Sequence, residues 1–108
     1  ALCKTLEVSH VRVVGTSRRK IRTVAVLGGA GGSDVPNIPD DVDVYITGDV
    51  DYHDALAAQH RGLIVIDAGH APLEKWAVPA IADYLKIHFQ DIPVTPWIEP
   101  EIFRIIKP

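Results

Sequence analysis

Residues 63–66 read Leu-Ile-Val-Ile, four apolar side chains in a row, three of them β-branched. Successive side chains of a strand point to opposite faces, so an unbroken apolar run describes a strand with both faces covered. Such strands belong to parallel sheets, and parallel neighbours need crossover connections, usually helices. The segment "LIVID" (63–67) therefore constrains the chain to an α/β layout.

The flanking sequence fits that layout. "HVRVV" (10–14), "IRTVAVL" (21–27) and "VDVYIT" (42–47) are β-branched runs bounded by polar or glycine residues, and they read as strands. A polar stretch with Gly15 separates the first two, and the basic run Arg18-Arg19-Lys20 reads as a hairpin tip. A helix is expected at 52–61, with Asp51 as N-cap, Asp54 complementing the positive helix start and Gly62 as left-handed stop. Leu73, Trp76, Ala77, Ala80, Ile81, Tyr84, Leu85 and His88 then repeat at helical spacing. Pro79 interrupts them: either the helix kinks there, or a short turn precedes a helix starting at Pro79. Residues 92–98 read as a last strand, placed at an edge because Pro93 and Pro96 cannot donate to a ladder. Residues 33–41 occupy the place of a crossover helix, which two prolines shorten or abolish. The expected fold class is α/β, a mostly parallel sheet of about five strands with covering helices and an edge strand near the C-terminus.

At 108 residues, 47% of them hydrophobic, the chain is read as a single domain with enough apolar surface for a core. Its net charge of −3 argues against a nucleic-acid surface, which needs a basic patch. No apolar stretch approaches the roughly 18 residues of a membrane span. Cys3 stands alone, so neither a disulfide framework nor a thiolate zinc site is expected, and an intracellular, cytoplasmic setting follows. The chain contains no Met and opens on "ALCKTL", which resembles the last turns of a helix. It reads as a fragment or a single domain of a longer protein.

Three expected strands end in small or polar residues: "GGAGGS" (28–33), "TGD" (47–49) and "DAGH" (67–70). Carboxyl ends of parallel strands share one sheet edge, where ligands bind. Asp49, Asp51, His53, Asp67, His70 and Glu74 are thereby gathered as a possible cluster. The glycine stretch lacks the phosphate-loop lysine, and Asp34 stands where a dinucleotide loop needs its third glycine. Its glycines more simply allow tight turning against a helix or ligand. Asp49 and Asp51 read as helix caps or as site carboxylates, and His53 as exposed or site-facing. His70 and Glu74, one helical turn apart, stay open between two readings. With Ala71 as N-cap, Pro72 and Glu74 are ordinary helix-start residues. Alternatively, imidazole and carboxylate together suit zinc, iron or manganese.

"VAVLGGAGG", "DVYITGDVDYHDA" and "GLIVIDAGHAPLE", in this order and spacing, resemble the carboxyl-terminal half of the GTP cyclohydrolase I type 2 homologue family, also called NGG-interacting-factor-three-like dinuclear metal proteins. The resemblance runs from about Val11 to Leu85. It implies an α/β protein of two similar halves holding a two-metal centre. It assigns His70 and Glu74 as metal ligands through a G-H-x-x-x-E element, and it puts Thr47, Gly48 and Asp49 near the metals. It makes Gly28, Gly29, Gly31 and Gly32 lining of the same cleft.

The family's other ligands are a His-His pair and an aspartate of the amino-terminal half. This chain carries neither, so the divalent ions would be incompletely liganded here. The implied activity is hydrolase-like, of the GTP cyclohydrolase type that the family name gives, on an unidentified small molecule. In that activity Asp49 or His53 orients a ligand or shuttles a proton. Ring-shaped homo-oligomers are implied as well. The competing reading is a non-catalytic interaction or regulatory domain that self-associates or docks on partners; nucleotide binding through the glycine loop is a third.

Overall fold

The computed structural model describes residues 1–17 and 20–108. The expected tip at Arg18 and Arg19 lies outside the described residues. The chain divides into two units, Ala1–Leu73 and Glu74–Pro108.

The first unit opens with a short helix, α1 (Leu2–Leu6), closed by Glu7 in the left-handed conformation. Four strands follow: β1 (Arg12–Val14), β2 (Val24–Ala30), β3 (Val44–Gly48) and β4 (Ile64–Asp67). The sheet order is β1-β4-β3-β2. β2 pairs with β3 and β3 with β4 in parallel, whereas β1 runs antiparallel to β4. The sheet is thus mostly parallel, and among the described residues it has four strands.

Two expectations are corrected here. β1 and β2 do not form a hairpin: they occupy opposite edges of the sheet. The two runs have strand character, but strand propensity does not specify a partner, and β1 takes its register from β4. Residues 92–98 form no strand. Pro93 and Pro96 remove two ladder donors from a seven-residue stretch, which accounts for the absence of a ladder.

β2 and β3 are joined by a 3₁₀ turn, Gly32–Asn37, with Pro36 inside it. Arg61 pins this crossover by donating to the carbonyls of Val35 and Ile38 and, at 3.0 Å, to Asp40. β3 and β4 are joined by α2 (Tyr52–His60). Asp51 caps α2 by accepting from the Asp54 N–H at 2.8 Å, and Gly62 follows with φ 70°.

The core lies between one sheet face, α2 and the 3₁₀ turn. Val35, Val42, Tyr45, Val50, Ala58, Leu63 and Val65 are buried there. Tyr45 and Val65 are register partners and share that face. Fully burying one such aliphatic side chain stabilises by about 1.5–3 kcal/mol. The opposite face carries Ile46, Ile64 and Ile66, which are half-buried. Full burial of the "LIVID" run is therefore met on one face.

The second unit contains α4 (Ala77–His88), preceded by α3 (His70–Glu74), which spans the division between the units. A short turn at 75–76 precedes α4, as the second reading has it, and the helix starts at Ala77, so Pro79 falls in its first turn, where an N–H has no intrahelical partner. The least exposed positions of α4 are Val78, Pro79, Ala82 and Leu85, while Ile81 and Tyr84 are 58% and 59% exposed. The helical spacing read from sequence is right, but burial runs along a neighbouring stripe. Tyr84 and His88 stack with ring centroids 4.1 Å apart. Among the described residues no helix is long and apolar enough to cross a membrane.

Two glycines define opposite predictions. A Cβ on Gly48 would lie 2.6 Å from Gly69 C and His70 N and 2.7 Å from Gly29 O, all backbone atoms. Gly48→Ala should destabilise by about 3 kcal/mol through overpacking. Gly62 has φ 70° with nothing within 4 Å, so Gly62→Ala should cost only the left-handed strain, about 1–2 kcal/mol. Denaturant midpoints of the two variants check the order.

Candidate metal-ligand and carboxylate site

Gly48 is where three strand tips meet. Its missing side chain lets β3 approach the backbone of Gly29 on β2 and of Gly69–His70 after β4. The expectation that the three loops share one edge is met at this contact. Sequence alone placed Gly28 and Gly29 in a loop; they lie inside β2, which carries a register shift between Val26 and Ala30. Gly29 has φ 75°, a conformation that glycine takes without strain.

Gly31 and Gly32 are buried against protein atoms. A Cβ on Gly31 would fall 2.2 Å from Thr47 Oγ1 and 2.3 Å from Tyr45 Oη, and one on Gly32 would fall 2.9 Å from Asp49 O and from Asp54 Oδ2. Both glycines thus permit close packing of the loop on β3 and α2, and Gly28 is exposed. The Tyr45 hydroxyl donates to Gly31 O at 2.8 Å. Burial raises the Tyr45 pKa above the usual phenol value; Thr47 lowers it and the Asp34 charge raises it further. Thr47 Oγ1 is buried in the same place.

Asp49 and His70 come together. His70 Nδ1 lies 2.6 Å from Asp49 Oδ2, although 21 residues separate the two in sequence. An ionised carboxylate has only lone pairs, so the ring nitrogen must donate. In the neutral ring this places the proton on Nδ1 and leaves the lone pair on Nε2. Asp49 adopts φ 53°, a left-handed conformation that Asp tolerates better than most residues. The side chains of His70 and Asp49 are 45% and 56% exposed.

Asp67 plays a different part from the one its place in the cluster suggested. It is 7% exposed, and Arg12 on β1 donates to its Oδ2. The same Oδ2 accepts from Val50 N at 3.2 Å, and Oδ1 accepts from Gly69 N at 3.0 Å. Arg12 also donates to Val50 O at 2.8 Å. Arg12 escaped the sequence reading because it looks like an outward residue of a short strand. Only the β1–β4 register sets it opposite Asp67.

Asp51 is engaged as the α2 cap. His53, in the first turn of α2, packs edge-on against Tyr52 with centroids 5.8 Å apart. α3 begins at His70, two residues earlier than the N-cap assignment to Ala71 requires, and Glu74 is its last residue. Among the described residues no group of three or more His, Cys, Asp or Glu could hold a metal ion. A cavity of about 400 Å³ lined by Lys20, Arg22, Thr23, Asp40, Asp41 and Asp43 lies at the other end of the strands and contains none of these residues.

Fold and site define a class: an α/β domain whose mostly parallel sheet presents a carboxylate-paired histidine at its carboxyl edge. A family profile described as Duf34/NIF3 (NGG1p interacting factor 3) matches residues 1–99, and the chain belongs to this family. A Staphylococcus aureus protein named GTP cyclohydrolase 1 type 2 homolog is 41% identical over 66 residues, covering 60% of this chain and 18% of its own length. Mouse NIF3-like protein 1 is 32% identical over 90 residues, covering 80% of this chain and 23% of its own. The crystal structure of a Bacillus cereus protein related to NIF3 matches with a TM-score of 0.81 at 32% identity, over 97% of this chain and 30% of that one. The chain therefore spans about a fifth of these curated relatives and under a third of the solved structure.

The Asp51 cap gives a pH prediction. Its bond from the Asp54 N–H holds its pKa below the usual carboxylate value. A depressed folded pKa stabilises above the unfolded value of about 3.9 and loses that contribution as pH falls through the folded value. Asp51→Ala should lower the thermal midpoint at pH 7, and the gap from the parent should narrow below about pH 4. Melts at pH 7 and pH 3 measure it; an undiminished gap at pH 3 would contradict the linkage.

Proposed function

We propose that this chain supplies part of a divalent-metal site in a hydrolase-like protein, with His70 and Glu74 as ligands. One observation carries the reading: the Asp49 carboxylate 2.6 Å from His70 Nδ1. Metal-binding histidines characteristically give their second ring N–H to a carboxylate or carbonyl, which fixes the tautomer and raises ligand basicity. His70 has that arrangement. The nitrogen and oxygen donors of His70 and Glu74 suit zinc, iron or manganese.

Two protein ligands are fewer than the three of a catalytic zinc site, so this chain's share is incomplete by itself. The family membership and the length covered in relatives support a site completed by residues outside this chain. When bound, such ions supply Lewis acidity and lower the pKa of water. The chain's own residues orient and buffer. Asp49 holds the Nδ1 proton of His70 and keeps its ring in one orientation. His53, exposed on the first turn of α2, fits a proton carrier. The name of the S. aureus relative makes GTP cyclohydrolase-type hydrolysis the first activity to assay.

A second reading, a self-associating or docking domain, draws on β2. It is a terminal strand of the sheet, and Val24, Val26 and Leu27 are 50%, 63% and 42% exposed. Apolar residues on an edge strand favour pairing with another surface.

Elemental analysis of the full chain within its intact protein separates the two. The metal reading expects about two equivalents of divalent ion per protomer. His70→Ala or Glu74→Ala should lose metal, and Asp49→Asn should weaken binding about 10–100-fold. Unchanged metal in His70→Ala and Glu74→Ala contradicts the ligand assignment. If the same variants keep metal and Val26→Asp alone alters sedimentation, the docking reading stands instead.

A further inference from the structure

We infer that Asp67, braced by Arg12, is the positioning residue that fixes the Asp49–His70 pair. The inference rests on the reading of His70 as a ligand for its functional meaning and on geometry for everything else.

The Asp49–His70 bond joins side chains on two different loops, and both side chains are about half exposed. The backbone on either side sets how closely the two loops stand. Asp67 Oδ2 accepts the N–H of Val50, the residue after Asp49, and Asp67 Oδ1 accepts the N–H of Gly69, the residue before His70. One buried carboxylate thus ties down the immediate chain neighbour of each partner. Arg12 completes the brace by donating to Oδ2 of Asp67 and, at 2.8 Å, to Val50 O. Val50 is therefore gripped through both its N–H and its C=O. Gly48 closes the arrangement from the remaining side, since its lack of a Cβ lets the two loops touch.

The consequence is chemical as well as structural. Which ring nitrogen of a histidine carries the proton is set by the hydrogen bond the other nitrogen makes. If the two loops separate by about 1 Å, the 2.6 Å contact to Asp49 stretches beyond hydrogen-bond reach. The ring then reverts to the mixture of tautomers that solvent imposes. Asp67 thus controls where the His70 lone pair resides without touching His70.

Asp67→Asn is the direct test, because it keeps the side-chain volume while removing the charge and one strong acceptor. The ¹⁵N chemical shifts of the His70 ring are measured at pH 8 in the full chain within its intact protein, stripped of metal. The parent should show a protonated Nδ1 and an unprotonated Nε2, and Asp67→Asn should show a mixture or the reversed pattern. Zinc affinity of the same variant should fall about 10-fold or more. Val35→Ala is the control: it opens the fully buried core and lowers stability without touching the brace, so the ring shifts should stay at parent values. Should Asp67→Asn fail to fold, Arg12→Lys and Arg12→Met carry the test from the exposed arm. Lysine keeps the charge, so its ring shifts should lie between those of the parent and of Arg12→Met. Parent-like shifts in Asp67→Asn, or in both Arg12 variants, overturn the inference. Should His70→Ala leave metal content unchanged, the ligand reading fails, while the tautomer result still decides the positioning role.

Discussion

The buried carboxylate of Asp67 is the interaction on which the carboxyl edge of this sheet depends. Removing a charge from water is expensive unless it is paired and hydrogen-bonded. Here the charge meets Arg12 and two backbone N–H groups, each from a different segment. β1, the β3–α2 loop and the β4–α3 loop are thereby tied to one side chain. The antiparallel β1, an apparent irregularity in a mostly parallel sheet, is what brings the guanidinium there. The glycines at 31, 32 and 48 do the complementary work by exclusion, admitting backbone where any side chain would clash.

Sequence made some of this legible because the signals were local. The consecutive apolar residues of β4, the Asp51 cap and the Gly62 stop of α2 each follow from a few adjacent residues, and each stands where expected. Pairing is not local. β1 and β2 look like a hairpin from their proximity in the chain, yet the sheet sets them at its two edges. The glycine stretch looks like a loop because glycine carries no pattern of burial, yet half of it extends β2. The α4 stripe has the right period and the wrong phase, since alanine and aromatic positions alike satisfy the spacing.

The site divides in the same way. His70 and Glu74 were visible as an imidazole and a carboxylate one turn apart, and Asp49 as a strand-tip acid. That Asp49 would meet His70 followed only from the shared sheet edge, and the hydrogen bond itself needed coordinates. Arg12 was invisible: nothing near it in sequence distinguishes it from any outward arginine. Asp67 was gathered with the acids as a site candidate, whereas its burial and its three donors make it a brace.

The chain belongs to the Duf34/NIF3 family, and under the proposed metal reading the brace would present His70 to an ion whose other ligands lie outside this chain. The most direct measurement is anomalous diffraction from crystals of the intact protein loaded with zinc. The account predicts a metal peak bonded to His70 Nε2 and to Glu74, with Asp49 still hydrogen-bonded to Nδ1. A fully loaded crystal with no peak at His70, or with Nδ1 rather than Nε2 on the ion, would contradict it.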